Sequence, residues 1–199
     1  MTKFNFYKNK YKKVKKKLNI IVNKNIIYVT DNIGYIYAFD YSKDKILWAK
    51  NIKIPFRSNL KIFNEKLIAA DQNNRLYFID IKRGDILKLI PTEETLIKNK
   101  FINNLSLDNK NSYFLNTYGS LYSIDINTMR INWVFNSNKS SDLSPSNLYI
   151  GSQLINNNNK IIISTNNMTY ILDTITGRIM FKKNFATYLK PILIDNYLI

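Results

Sequence analysis

Four aspartates, Asp40, Asp80, Asp125 and Asp173, stand at the same place in four copies of one sequence unit, 40, 45 and 48 residues apart. A chain that repeats at such a period is assembled from units that cannot bury their apolar faces alone, so each must stack on its neighbours. Three residues before each aspartate is a tyrosine: Tyr37, Tyr77, Tyr122 and Tyr170. Six residues after it is an isoleucine: Ile46, Ile86, Ile131 and Ile179. Eight residues after it come Trp48, Lys88, Trp133 and Phe181, so Lys88 is the exception to an aromatic position.

The spacing of turn formers converts the unit into strands. Six residues before the aspartates are Gly34, Asn74, Gly119 and Asn167, the residue types that most readily accept positive φ, which marks a tight hairpin turn. Short apolar runs flank each turn, Ile26–Thr30 and Tyr35–Phe39 in the first copy, Lys66–Ala70 and Leu76–Ile79 in the second. The third and fourth copies show the same with Tyr113–Leu115 and Leu121–Ile124, and with Ile161–Ile163 and Tyr170–Leu172. The aspartate opens a further turn, with Gly84 and Gly177 four residues on in two copies, and leads to another strand such as Lys45–Ala49 or Arg130–Phe135. A strand also precedes each hairpin, around Ile20–Val22, Leu60–Phe63, Asn104–Leu107 and Leu148–Ile150. Runs such as Leu76–Ile79 are apolar on both faces, where a sheet with one wet face would alternate. Four antiparallel strands, buried on both sides and recurring every 40–48 residues, predict an all-β fold, a β-propeller of four-stranded antiparallel blades.

Composition narrows the chemistry. The chain has no cysteine and no histidine, which excludes disulfides, Cys/His zinc sites, Cys or His catalysis and histidine pH switches. Its formal charge is +16, but residues 1–24 hold nine lysines and no acid, so the remaining body carries only +7. Seven of those lysines lie between Lys8 and Lys17, interleaved with Tyr11 and Val14; the pattern suits an anionic surface or nucleic acid, but it is read in preference as a solvated, partly disordered lead-in to the first strand. No apolar run after the basic start has the length of a signal peptide or a membrane-spanning helix.

The stretches Gly34-Tyr-Ile-Tyr-Ala-Phe-Asp40 through Trp48, and Gly119-Ser-Leu-Tyr-Ser-Ile-Asp125 through Trp133, resemble the PQQ-type (quinoprotein) propeller repeat, G-x-L-Y-A-L-D-x-x-T-G-x-x-L-W. Thr176-Gly177 keeps its T-G step. That repeat is shared by quinoprotein dehydrogenases, sensors and scaffolds, and within the group the sequence is most similar to the BamB family of outer membrane assembly factors. The resemblance implies a non-enzymatic scaffold with protein partners in outer membrane β-barrel assembly, on the periplasmic side of that membrane. It also implies a ring of about eight blades, of which this chain supplies four and the start of a fifth; the lipoprotein cysteine of that family is not in this chain. The alternative is a PQQ-dependent dehydrogenase fragment or a ligand-sensing propeller.

The expected organisation is a basic, partly disordered lead-in over 1–17 and a PQQ-like propeller over 18–199, with blades at about 18–53, 54–92, 100–137 and 143–185 and a partial one over 186–199. Catalytic, cofactor-binding and metal-binding residues are expected to be none. Successive aspartates lie a blade apart, too far for a carboxylate pair to act together, so each is read as a turn residue. The only acidic doublet, Glu93-Glu94, points to opposite sides of an extended segment. Of glutamates there are three in all, with Glu65, which leaves no set resembling a calcium and quinone centre; no cofactor and no small-molecule substrate are expected, and nucleic acid is disfavoured as a partner.

Overall fold

The computed structural model describes residues 6–94, 104–137, 152–157, 159–165, 167–187, 189–194 and 197–198. The chain divides into two compact units, Met1–Lys98 and Asn99–Ile199.

In the first unit the strands β1 (Leu18–Asn23), β2 (Ile26–Asp31), β3 (Tyr35–Asp40) and β4 (Lys45–Asn51) form one antiparallel sheet in sequence order. The strands β5 (Lys61–Phe63), β6 (Lys66–Ala70), β7 (Arg75–Asp80) and β8 (Ile86–Pro91) form a second. The second unit repeats the plan with β9 (Asn104–Leu107), β10 (Asn111–Leu115), β11 (Ser120–Asp125) and β12 (Arg130–Asn136), then with β13 (Ile155–Asn157), β14 (Lys160–Ser164), β15 (Thr169–Asp173) and β16 (Ile179–Lys183). The short strands β17 (Leu193–Ile194) and β18 (Tyr197–Leu198) pair antiparallel. The fold is therefore all-β, a β-propeller of four-stranded antiparallel blades, as the repeat predicts. One strand is displaced: the fourth blade opens on β13, while residues 148–150, where the sequence placed that strand, lie outside the described residues.

The hairpins form where the sequence puts them because the chain can turn there. Gly34, Asn74 and Gly119 adopt φ of 98°, 62° and 85° between the second and third strands of their blades. Glycine and asparagine reach that region with little steric cost. A further regularity lies in the fourth strands. Each pairs with its third strand through a register shift at the same point, between Ala38/Phe39, Phe78/Ile79, Ser123/Ile124 and Ile171/Leu172. The extra residue bends the strand and increases its twist.

Burial on both faces follows from stacking. In the first unit Tyr28, Ile36, Ala38 and Trp48 of one blade share a core with Leu67, Ala69, Tyr77 and Ile79 of the next, joined by Phe56 and Leu60 from the connector. In the second unit Tyr113, Leu115 and Leu121 meet Leu154, Ile161, Ile163 and Leu172. Side chains of this kind each contribute about 1.5–3 kcal/mol on burial, which is why an isolated blade has little stability of its own.

Candidate functional site

The four repeat aspartates close the turn between the third and fourth strands. In every blade Oδ1 accepts two backbone amides: Ser42 and Lys43 on Asp40, Lys82 and Arg83 on Asp80, Asn127 and Thr128 on Asp125, Ile175 and Thr176 on Asp173. Hydrogen bonding to the charged form favours it. The Ser42 hydroxyl holds Asp40 below the usual carboxylate range, the Thr128 amide does so first at Asp125, and the Thr176 hydroxyl at Asp173. These carboxylates are turn fasteners.

A second set of turn residues escaped the sequence reading although its spacing is regular. Nine residues before the repeat aspartates stand Asp31, Asp71, Asn116 and Ser164. Asp31 Oδ1 accepts the amides of Ile33 and Tyr35, Asp71 Oδ1 those of Asn73 and Arg75, and Asn116 Oδ1 those of Tyr118 and Ser120. All three side chains are buried, so the hairpin rim is pinned from inside. In the fourth blade Ser164 Oγ accepts the amide of Thr187 at 2.8 Å instead. The other carboxylate oxygen of Asp71 accepts from the Tyr77 hydroxyl at 2.8 Å and from Arg75 Nε at 2.8 Å. Burial first, and then the Asp71 charge, push the Tyr77 phenol well above its ordinary range. Tyr113 is raised in the same way by burial and by its hydrogen bond to Asp108.

The aromatic position eight residues after the aspartate joins one blade to the next. Trp48 Nε1 donates to the Ile81 carbonyl at 2.9 Å, and Trp133 Nε1 donates to the Thr174 carbonyl at 3.0 Å. Each indole lies over the glycine of the turn it reaches. A Cβ on Gly84 would fall 2.5 Å from the Trp48 ring, and one on Gly177 would fall 2.6 Å from the Trp133 ring. All four of these turns place a positive φ at that position, at Asp44, Gly84, Met129 and Gly177. Of the four, glycine stands at the two positions on which a tryptophan lands. Trp48 is buried and Trp133 half-buried, whereas Phe181 at the equivalent position is 48% exposed. Lys88 is exposed.

The glutamates are dispersed. Glu65 is paired with Lys82 on the surface, and the Glu93 carbonyl accepts from Asn74 Nδ2 at 2.8 Å. Among the described residues no group of three or more His, Cys, Asp or Glu could hold a metal ion.

The fold is similar to that of several solved structures. BamB from Moraxella catarrhalis matches with a TM-score of 0.76 and 15% identity, covering 92% of this chain and 56% of that one. Sqt1 from Saccharomyces cerevisiae matches with a TM-score of 0.67 and 16% identity, over 90% of this chain and 52% of that one. The quinohemoprotein alcohol dehydrogenase from Comamonas testosteroni matches with a TM-score of 0.66 and 12% identity, over 88% and 37%. At such identities the likeness shows the fold alone, and this chain spans about half the length of the first two. No curated protein sequence matches it. The family model of the outer membrane protein assembly factor BamB matches residues 12–199, nearly the whole sequence, and by that match the chain belongs to the BamB family.

Proposed function

We propose that this chain is a non-catalytic protein-binding scaffold, an accessory of outer membrane β-barrel protein assembly that works on the periplasmic side of that membrane and engages protein partners through loops at one rim of its blades. The observation that carries the reading is the family match over residues 12–199. The use of the carboxylates supports it. Seven aspartates, Asp31, Asp40, Asp71, Asp80, Asp108, Asp125 and Asp173, each accept two backbone amides within turns. A carboxylate held in that way is a poor general base, because abstracting a proton would forfeit those bonds. On this reading residues 18–199 are four blades and part of a fifth, and no residue has a catalytic, cofactor-binding or metal-binding role.

The test is genetic and biochemical. Cells lacking the gene should show reduced amounts of folded β-barrel protein in the outer membrane, restored when the gene is returned. Unchanged barrel levels would sink the assembly reading. Purified protein mixed with PQQ and calcium should bind neither; a stoichiometric quinone absorbance would sink the non-catalytic one.

A further inference from the structure

The basic lead-in, to which the sequence assigns no packing partner, is fastened along the first blade from Phe6 onward. The Tyr7 hydroxyl donates to the buried Asp31 Oδ2 at 2.8 Å, and the Lys8 amide donates to the Tyr35 hydroxyl at 3.2 Å. Phe6 packs on Tyr37 with ring centroids 4.8 Å apart, and Tyr7 on Tyr35 at 4.7 Å. At the other end the Lys17 amide donates to Asn32 Oδ1 at 2.8 Å, and the Asn32 amide to the Lys17 carbonyl at 3.2 Å. Between these pins a 3-10 turn over Asn9–Tyr11 is closed by Lys16 Nζ, which donates to the carbonyls of Tyr11 and Lys12. The segment is a strap held at both ends.

Its charge is concentrated. Lys8, Lys10, Lys12, Lys13, Lys15 and Lys17 are all exposed. The ion pairs among the described residues use Lys43, Lys50, Arg75 and Lys82, and none of the strap lysines. What lies among the lysines discriminates between anionic partners. The strap's rings, Phe6, Tyr7 and Tyr11, are packed on Tyr35 and Tyr37 and present no free platform for stacking bases. The strap contains no arginine, the residue suited to bidentate phosphate and base-edge recognition. An apolar side chain does face solvent amid the lysines, Val14 at 43% exposed, and Leu18 follows at 45%. Point charges around exposed aliphatic groups suit a bilayer surface, where headgroup phosphates meet the ammoniums and the apolar groups enter the interface.

We propose that the strap, residues 6–18, is a docking surface for anionic phospholipid headgroups of a membrane. The proposal stands on the strap's own chemistry and does not depend on the assembly role above. Each lysine near such a surface is worth roughly fivefold in affinity, so three together are worth about a hundredfold. The test is co-sedimentation of the full chain with vesicles of phosphatidylglycerol and phosphatidylcholine in equal parts, against phosphatidylcholine alone. Binding should require the anionic lipid, weaken with salt, and fall about a hundredfold in the Lys12→Gln/Lys13→Gln/Lys15→Gln variant. These exposed side chains lie outside the core, so the variant should fold; circular dichroism checks that it does. The charge-matched variant Lys45→Gln/Lys88→Gln/Lys110→Gln should bind as the parent does. Equal binding to both vesicles, an equal loss in the two triple variants, or tighter binding to duplex DNA than to anionic vesicles would overturn the proposal.

Discussion

Asp173 shows how much one carboxylate does in a turn: it accepts the amides of Ile175 and Thr176 and the hydroxyl of Thr176. Because those bonds lower its pKa in the folded chain, its stabilisation is complete above the unfolded carboxylate range and is lost as pH falls through the lower folded value. Asp40 and Asp125 act in the same sense. Asp173→Asn keeps an acceptor but removes the charge. It should lower stability at pH 7 by about 0.5–1 kcal/mol after allowance for solvent screening, and the gap to the parent should shrink at an acid pH below the ordinary carboxylate range. Urea melts at the two pH values measure this; a gap that persists in acid means the charge is irrelevant to the turn. At this scale the sequence was readable where a residue type recurred unchanged, as with the aspartates and the tyrosines three before them. The pins at Asp31, Asp71, Asn116 and Ser164 were missed because three residue types share one task, accepting turn amides or the amide of Thr187. Spacing, not identity, was the signal.

Blade joins with blade through a knob and a gap. Trp48 fills the space left by the absent Cβ of Gly84, and its indole N–H reaches the Ile81 carbonyl. Truncation of Trp48 to alanine should cost about 3–5 kcal/mol. Half-buried Trp133 should cost less. Gly84→Ala should itself cost about 1–3 kcal/mol, because the new methyl collides with a ring wedged in a packed core. If contact is what selects glycine, adding Gly84→Ala to Trp48→Ala should cost less than it does in the parent, a coupling of about 1–2 kcal/mol in a double-mutant cycle. Additive effects would mean that the positive φ of Gly84, and not the indole, demands glycine. The hairpins of these blades were legible because turn residues and apolar runs are local. The bulge in each fourth strand was not, since it exists only in the register between two strands. Nor was the fourth blade's first strand legible: it is β13, Ile155–Asn157, and not the apolar run 148–150 that the sequence offered for it. The strap was hidden for a related reason. Lysine-rich segments read as solvated, and nothing local announces that Tyr7 will find Asp31.

At the scale of the whole molecule, the same packing rule says what the outer faces of the blades do. Where a further blade follows within a unit, the fourth-strand aromatic is covered, as Trp48 is by the turn of the second blade and Trp133 by that of the fourth. Phe181 holds the equivalent place on β16 and is 48% exposed; Ile179 and Met180 beside it are exposed as well. In the first unit Leu18, Ile20 and Val22 alternate along β1 and all face solvent. Contiguous apolar surface of this kind, with sheet edges nearby, is normally covered by another chain or by more of the same one. BamB from Moraxella catarrhalis, 56% of which is matched by this chain, is long enough to supply further blades within a single polypeptide. The 199-residue chain by itself should therefore self-associate. Sedimentation equilibrium should give a weight-average mass above 23.5 kDa that rises with concentration. The double substitution Met180→Ser/Phe181→Ser should bring it toward the monomer without unfolding the blade, because both residues are about half exposed and neither belongs to a buried core cluster. A parent chain that sediments at 23.5 kDa and unfolds in one cooperative step would show that these faces need no cover.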